Sequence, residues 1–284
     1  MAWPDLKWVE RFAPSPTGPL HLGHAFSALT AWDRAVENDG EFILRIEDID
    51  QSRCRPEWES QIYEDLNWLG ISWSAPVLRQ SGRLGAYREA LEALWARGLI
   101  YPCYCTRKDI LGATMAPQEG ANPMGPDGII YPGTCRAEPK GKMPNGLALR
   151  LNLAAAVNDK KFSFEETGLN AGLIEFSADD AVRTIGDIVL ARRDMGTSYH
   201  LSVVLDDAFQ GVTHVTRGQD LFEATKIHVI LQKLLGLPTP AYYHHALVRD
   251  KNGKRLAKRD DARAIAKYRA EGATPEDIRR MVGL

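Results

Sequence analysis

The spacing of hydrophobic positions changes several times along the chain, and each change predicts an element. "WVERFAP" (8–14) reads as a short strand stopped by Pro14. Phe26, Leu29, Ala31 and Val36 then recur at helical spacing until "NDG" ends the run. "EFILRIED" (41–48) is an apolar stretch of strand length. Pro56 opens a helix with Trp58, Ile62, Leu66 and Leu69 on one face. "SGRLGAYREALEALWARGLI" (81–100) predicts a further helix. From Tyr101 to about Lys142 the periodicity fades into Gly, Pro and Cys. "LALRLNL" and "KFSFEE" restore short strands, and the pattern from Asp187 to Leu221 predicts alternating strands and turns. "FEATKIHVILQKLLG" (222–236) is a strongly amphipathic helix, and "AYYHHALVRD" leads into a basic segment. Strand–helix–strand–helix order predicts an α/β fold with a parallel sheet and crossovers. The chain divides into two α/β halves around an irregular insertion at roughly 101–185, with no internal repeat.

Composition adds little until it is taken locally. The 284 residues are 44% hydrophobic and 25% charged, with a net charge of −2, as expected of a soluble globular protein. The first residues have no apolar run of signal-peptide length, and no stretch approaches bilayer-spanning length, so a cytoplasmic protein is expected. Its four cysteines, Cys54, Cys103, Cys105 and Cys135, are then expected to be reduced. Between Arg249 and Arg269 nine Lys or Arg stand against three Asp, so cationic charge is concentrated there.

The stretch "RFAPSPTGPLHLGH" (11–24) is too rich in proline and glycine to be regular, yet it delivers His21 and His24 to the start of a helix. No G-x-x-x-x-G-K-[ST] or G-x-G-x-x-G is present. A helix N-terminus still attracts anions through free N–H groups. Gly23 permits close backbone approach, and both histidines can donate to phosphate oxygens. The alternative is a proline-rich turn whose histidines merely cap a helix.

"HLGH" is similar to the HIGH motif of class I aminoacyl-tRNA synthetases, and the whole stretch resembles the form found in glutamyl- and glutaminyl-tRNA synthetases. "LRIEDID" resembles their second block, "VVLDDAFQGVTHVTRGQDL" a third, and "KRLAKR" stands where their KMSKS loop falls. These blocks occur in order over nearly the whole chain.

The resemblance implies a Rossmann-type catalytic domain split into residues 1–100 and 186–284, the latter with the KMSKS-like loop and a short helical tail. Residues 101–185 would form an inserted acceptor-like subdomain with a zinc-binding segment. ATP with Mg²⁺ is the implied cofactor, held by His21, Gly23, His24 and Lys258, with His21, His24 and Lys258 stabilising charge on the transferring phosphate. "RLAKR" departs from KMSKS at Arg255, Ala257 and Arg259 but keeps Lys258. Arg11, Phe12, Ala13, Pro14, Ser15, Glu47, Tyr199 and Arg217 match the family's glutamate pocket. Arg217 and Tyr199 would hold the side-chain carboxylate with Arg11 assisting, and Glu47 would face the ammonium.

"CYC" at 103–105 and Cys135 give three thiols, one short of a usual zinc set and with no histidine between them; buried unligated cysteines are the alternative. Short members of the family resemble this pattern and add a tyrosine, which implies one zinc ion on Cys103, Cys105, Tyr131 and Cys135. Cys54 is expected to be structural. Thr274, Pro275 and Asp277 fit the start of one short helix, and the tail after the basic segment is too short for an anticodon-reading domain. Together these features resemble the glutamyl-queuosine tRNA(Asp) synthetases. That resemblance implies tRNA-independent activation of L-glutamate and its transfer to the queuosine nucleoside of tRNA(Asp), by a monomer with no membrane partner. The alternatives are a conventional glutamyl-tRNA synthetase core charging a tRNA 3′ end, and a non-catalytic RNA-binding paralogue.

Overall fold

A computed structural model describes residues 7–114, 124–158, 160–248 and 263–284. The first unit runs β1 (Val9–Phe12), α1 (Leu22–Glu37), β2 (Glu41–Ile46), α2 (Pro56–Trp68) and β3 (Ser74–Arg79). Its strands form a parallel sheet in the order β1–β2–β3, with Val9 opposite Glu41 and Ile43 opposite Ser74. α1 buries Leu22, Ala25, Ala28 and Leu29, a 3–4 spacing that places one face on the sheet. Full burial of Leu29 contributes roughly 2 kcal/mol. Pro56 occupies the first turn of α2, where its missing N–H costs nothing.

α3 (Leu84–Ala96) leads into β4 (Ile100–Cys103), α4 (Arg107–Thr114) and a small hairpin, β5 (Met124–Gly125) with β6 (Gly128–Ile129). Next come β7 (Ala148–Leu151), α5 (Leu153–Val157), β8 (Lys161–Glu166), β9 (Gly172–Ser177), α6 (Ala178–Thr184) and β10 (Val189–Ala191). β10, β7 and β4 make an antiparallel sheet. The chain finishes with α7 (Tyr199–Phe209), β11 (His214–Gly218), α8 (Phe222–Leu235), β12 (Ala241–His245), α9 (Ile265–Ala270) and α10 (Pro275–Val282). β11, β12 and β8 are parallel, and β9 pairs antiparallel with β8. Thr213 joins the two parallel systems: its N–H donates to Val9 O at 3.1 Å, and its hydroxyl accepts from Val9 N at 2.8 Å. β1 and β11 therefore lie side by side, with their crossovers leading in opposite directions to β2 and β12.

Two of these elements correct the sequence reading. Tyr199–Phe209, expected among strands and turns, is helix α7. It buries His200, Leu201, Ser202, Val203, Val204, Asp206 and Asp207, polar residues included, and its adjacent valines suggest a strand. Ser198 starts it by accepting from Leu201 N. The tail contains α9 as well as the expected α10. α10 has the Thr274–Asp277 capping box, and Arg279 grips Asp33 of α1 with two bonds of 2.7 and 2.8 Å. Ile265, Ile278 and Val282 thereby enter the core built by α1, β1, β2 and α2. A second core gathers α3, β7, β8, α6, α7, β11 and α8, with Tyr242 of β12.

Candidate active site

A crevice opens beyond the carboxyl end of β1, beside the point where the winding of the sheet reverses and α/β proteins place their ligands. It belongs to a cavity of about 1320 Å³. Phe12, Ala13, Pro14, Ser15, His24 and Glu47 line one bank, and Tyr199 and His200 the other. Pro14 O accepts from Glu47 N at 3.0 Å, which ties the loop after β1 to the end of β2.

On the first bank, His21 is the N-cap of α1. Its Nδ1 accepts from Gly23 N, and His24 Nδ1 accepts from His21 N, each at 3.2 Å. A neutral ring that accepts on Nδ1 carries its proton on Nε2, so both imidazoles are N–H donors at a helix start. Their ring centroids lie 3.8 Å apart. Ile265 N donates to Leu20 O at 2.9 Å, so the chain a few residues after the KMSKS-like stretch docks beside these histidines. Lys258, Arg255, Ala257 and Arg259 lie outside the described residues.

Behind the loop sits a buried charge cluster. Arg45 is fully enclosed and donates to Asp207 at 2.7 Å and Glu47 at 3.3 Å; Arg11 donates to Asp207 at 3.3 Å. Burial raises the Asp207 pKa, but Arg11 and Arg45 together outweigh it and hold the carboxyl below its ordinary value. Glu47 has the opposite balance: burial exceeds the attraction of Arg45 and Arg11 and leaves its pKa raised.

The second bank ends in Arg217. Its Nε donates to His244 Nε2 at 3.3 Å, Nη1 to His228 Nδ1 at 3.2 Å, and Nη2 to Leu221 O at 3.2 Å and to Thr225 Oγ1. Tyr199, 37% exposed, stands between this buried group and the cavity wall. Arg11 and Arg217 thus lie behind the residues that line the cavity, while Glu47 and Tyr199 face it. Sequence reading missed Arg45, Asp207, His228, His244 and Glu166. Arg45 had a signal, a charge within the apolar run Phe42–Ile46, which must find a partner when buried. The histidines had none, because their partners come from distant elements.

Cys103 and Cys105 line the same cavity. The sulfurs of Cys103, Cys105 and Cys135 lie within 4.8 Å of one another, and Tyr131 Oη is 3.5 Å from Cys103 Sγ and 3.3 Å from Cys105 Sγ. Zinc bound tetrahedrally at about 2.3 Å from sulfur needs thiolates roughly 3.8 Å apart, so this donor set fits such an ion. Arg150 donates from Nε to Cys103 Sγ at 3.3 Å and stacks 3.9 Å over the Tyr131 ring, placing a cation where the thiolates of such a site would concentrate negative charge. Cys54 lies away from this cluster, half-buried. No helix among the described residues is long and apolar enough to cross a membrane.

The family model for the catalytic domain of class I tRNA synthetases (E and Q) matches residues 7–284. A glutamyl-Q tRNA(Asp) synthetase of Rhodobacter capsulatus is 63% identical over 282 residues, covering 97% of this chain and 100% of the relative. One from Symbiobacterium thermophilum is 42% identical over 286 residues, covering 94% and 83%. Among solved structures, a glutamate–tRNA synthetase from Elizabethkingia anophelis superposes with a TM-score of 0.77 at 27% identity over 98% of this chain. The chain spans 61% of that structure's length. A methionyl-tRNA synthetase from Mycobacterium tuberculosis, at 12% identity and a TM-score of 0.56 with 98% of this chain covered and 64% of its own, shares the fold. The crevice, its paired histidines and the matches along nearly the whole length agree: the chain is a ligase of the aminoacyl-tRNA synthetase type and belongs to the glutamyl-Q tRNA(Asp) synthetase family of class I.

Proposed function

We propose that this enzyme activates L-glutamate with ATP without needing tRNA, then transfers glutamate to the queuosine nucleoside in the anticodon of tRNA(Asp). The observation that carries this reading is the 63% identity to a glutamyl-Q tRNA(Asp) synthetase matched from end to end. In the first step a carboxylate oxygen of glutamate attacks the α-phosphorus of ATP, and pyrophosphate leaves with the electrons of the broken P–O bond. In the second, a hydroxyl of the nucleoside attacks the glutamyl carbonyl and AMP leaves.

The protein's share in the first step is positioning and charge neutralisation. His21 and His24 donate through Nε2 to phosphate oxygens beside the backbone of Gly23, and Lys258 supplies a cation from the basic segment. Mg²⁺ accompanies ATP as part of the substrate and neutralises charge on the leaving pyrophosphate. Glu47 receives the glutamate ammonium. Arg217 and Tyr199 receive its side-chain carboxylate, Arg11 assists, and Phe12, Ala13, Pro14 and Ser15 form the wall. Cys103, Cys105, Tyr131 and Cys135 would hold one zinc ion, which cross-links the insertion at 101–185 without entering the reaction.

Glutamate-dependent ATP–pyrophosphate exchange with and without tRNA tests the first step, and glutamate transfer to tRNA(Asp) with and without queuosine tests the second. The expected result is exchange without tRNA and transfer to the queuosine-bearing tRNA alone. Exchange that requires tRNA would replace this reading with charging of a 3′ end. Absence of exchange in folded protein would leave an RNA-binding paralogue.

A further inference from the structure

The cavity has a wall that glutamate and ATP do not use. The residues proposed for those two substrates all come from the catalytic halves, whereas Cys103, Cys105, Arg107, Ile110, Asp127 and Ile129 of the insertion line the same cavity. In the second step a hydroxyl of the acceptor meets the glutamyl carbonyl inside this cavity. The acceptor therefore needs a wall of its own, and the insertion supplies one.

The charges on the cavity wall are unevenly matched. Glu47 has Arg45 at 3.3 Å, Asp50 has Arg53 at 2.6 Å, Asp194 has Arg192 at 3.3 Å and Asp187 has Arg136 at 2.8 Å. Asp127 lies 3.2 Å from His200 Nε2. Arg150 is engaged as well, by Cys103 Sγ and Asp187 O. Among the described residues, the side chains of Arg107 and Arg193 have no hydrogen bond or ion pair, although both line the cavity. They are exposed and come from different parts of the chain: Arg107 begins α4 in the insertion, and Arg193 follows β10. Ile110, Ile129, Ile188 and Val189 give the same cavity an apolar surface. Apolar surface that can cover a base face, joined to guanidinium groups that can grip phosphate, suits an unpaired RNA strand; a duplex keeps its base faces stacked.

We infer that Arg107 and Arg193 hold backbone phosphates of the unpaired anticodon loop, whose accepting nucleotide enters the cavity along the insertion. This rests on the proposed transfer of glutamate to an anticodon nucleoside. The two arginines position the strand and read no base, because phosphate carries no sequence information. They act in the second step alone, since the adenylate forms from ATP and glutamate on the other walls.

The test measures the Kd for queuosine-bearing tRNA(Asp) over a salt series, glutamate transfer to that tRNA, and pyrophosphate exchange without tRNA. Arg107→Ala and Arg193→Ala should each raise the tRNA Kd about tenfold, and the double variant about a hundredfold. Each should also reduce the slope of log Kd against log salt by about 0.7, the value of one phosphate contact on a single strand. Transfer at limiting tRNA should fall in proportion, with exchange within about twofold of wild type in all three. Arg53→Ala removes a cavity arginine already held by Asp50 and should change the tRNA Kd by less than about threefold. An unchanged tRNA Kd in the double variant, an equal rise in Arg53→Ala, or a matching loss of exchange would overturn the assignment. Wild-type protein that charges a tRNA 3′ end in place of the queuosine nucleoside would remove the functional reading beneath it. Wild-type transfer to queuosine, with an unchanged tRNA Kd in the double variant, removes only the two phosphate contacts.

Discussion

At the start of α1, on one bank of the crevice, the two histidines meet partners two or three residues away: His21 accepts from Gly23, and His24 accepts from His21. On the opposite bank, Arg217 meets His228 and His244, 11 and 27 residues further on, and His244 meets Glu166, 78 residues back. The first arrangement is a helix cap and forms wherever its helix forms. The second exists only after β8, β11, α7, α8 and β12 have assembled. It also buries charge, so every member depends on the others for solvation that water no longer supplies. One bank should tolerate single substitutions as local changes of chemistry; the other should answer with stability or geometry.

The sharpest way to break this contrast is Asp207→Ala. It leaves Arg45 and Arg11 buried without their shared carboxylate, so unfolding free energy should fall by about 3–5 kcal/mol in denaturant titration. A loss below about 1 kcal/mol would show that the cluster is solvated.

On the other bank, His24→Ala should cut the rate of adenylate formation about 10²-fold, as expected for loss of one donor to developing phosphate charge. Its stability should fall only by about 1 kcal/mol, the value of a cap. Wild-type exchange would remove His24 from the phosphate site.

Cys135→Ser should lower zinc affinity at least about tenfold, and Arg150→Leu, acting on Cys103 and Tyr131 from outside the donor set, by about 10-fold to 100-fold. Chelator competition reads both. Full-length protein with no zinc after chelator-free purification would remove the metal reading.

The smallest effect lies outside the crevice. Asp65 is buried with no hydrogen bond to either carboxylate oxygen, Arg269 Nη2 being 3.4 Å away, and burial lifts its pKa to about 6. Because the folded pKa lies above the ordinary 3.8, the folded state favours the protonated form. That stabilisation is present below pH 3.8 and is lost as pH rises through 6. Asp65→Asn should therefore gain about 1–2 kcal/mol at pH 7 and little at pH 3.5. A gain independent of pH would assign the effect to packing instead.

The legibility of each region follows the same division. Pro56 at the head of α2, the Thr274–Asp277 box of α10 and the 3–4 spacing of α1 are local signals, and those elements stand where the pattern predicted. α7 was misread because Val203 and Val204 suggest a strand, and its polar Asp206 and Asp207 are buried on partners from distant elements. Cys103, Cys105, Tyr131 and Cys135, grouped by a family resemblance, do come together, because β4 and the loop after β6 return to the same place.

By itself the sequence determined the elements whose reasons are local: the capped start of α1, the helices with one apolar face, the short strands and the ordered motifs that mark the family. Tertiary structure alone decided which buried charges share a partner, how Arg217 comes to donate to His228 and His244, and that Asp127 of the insertion reaches the wall of the cavity. The physical reason is range. Capping and periodicity act over a few residues and leave their imprint in the order of side chains. Burial, charge pairing and proton placement depend on which distant side chains the packed core brings within about 3 Å.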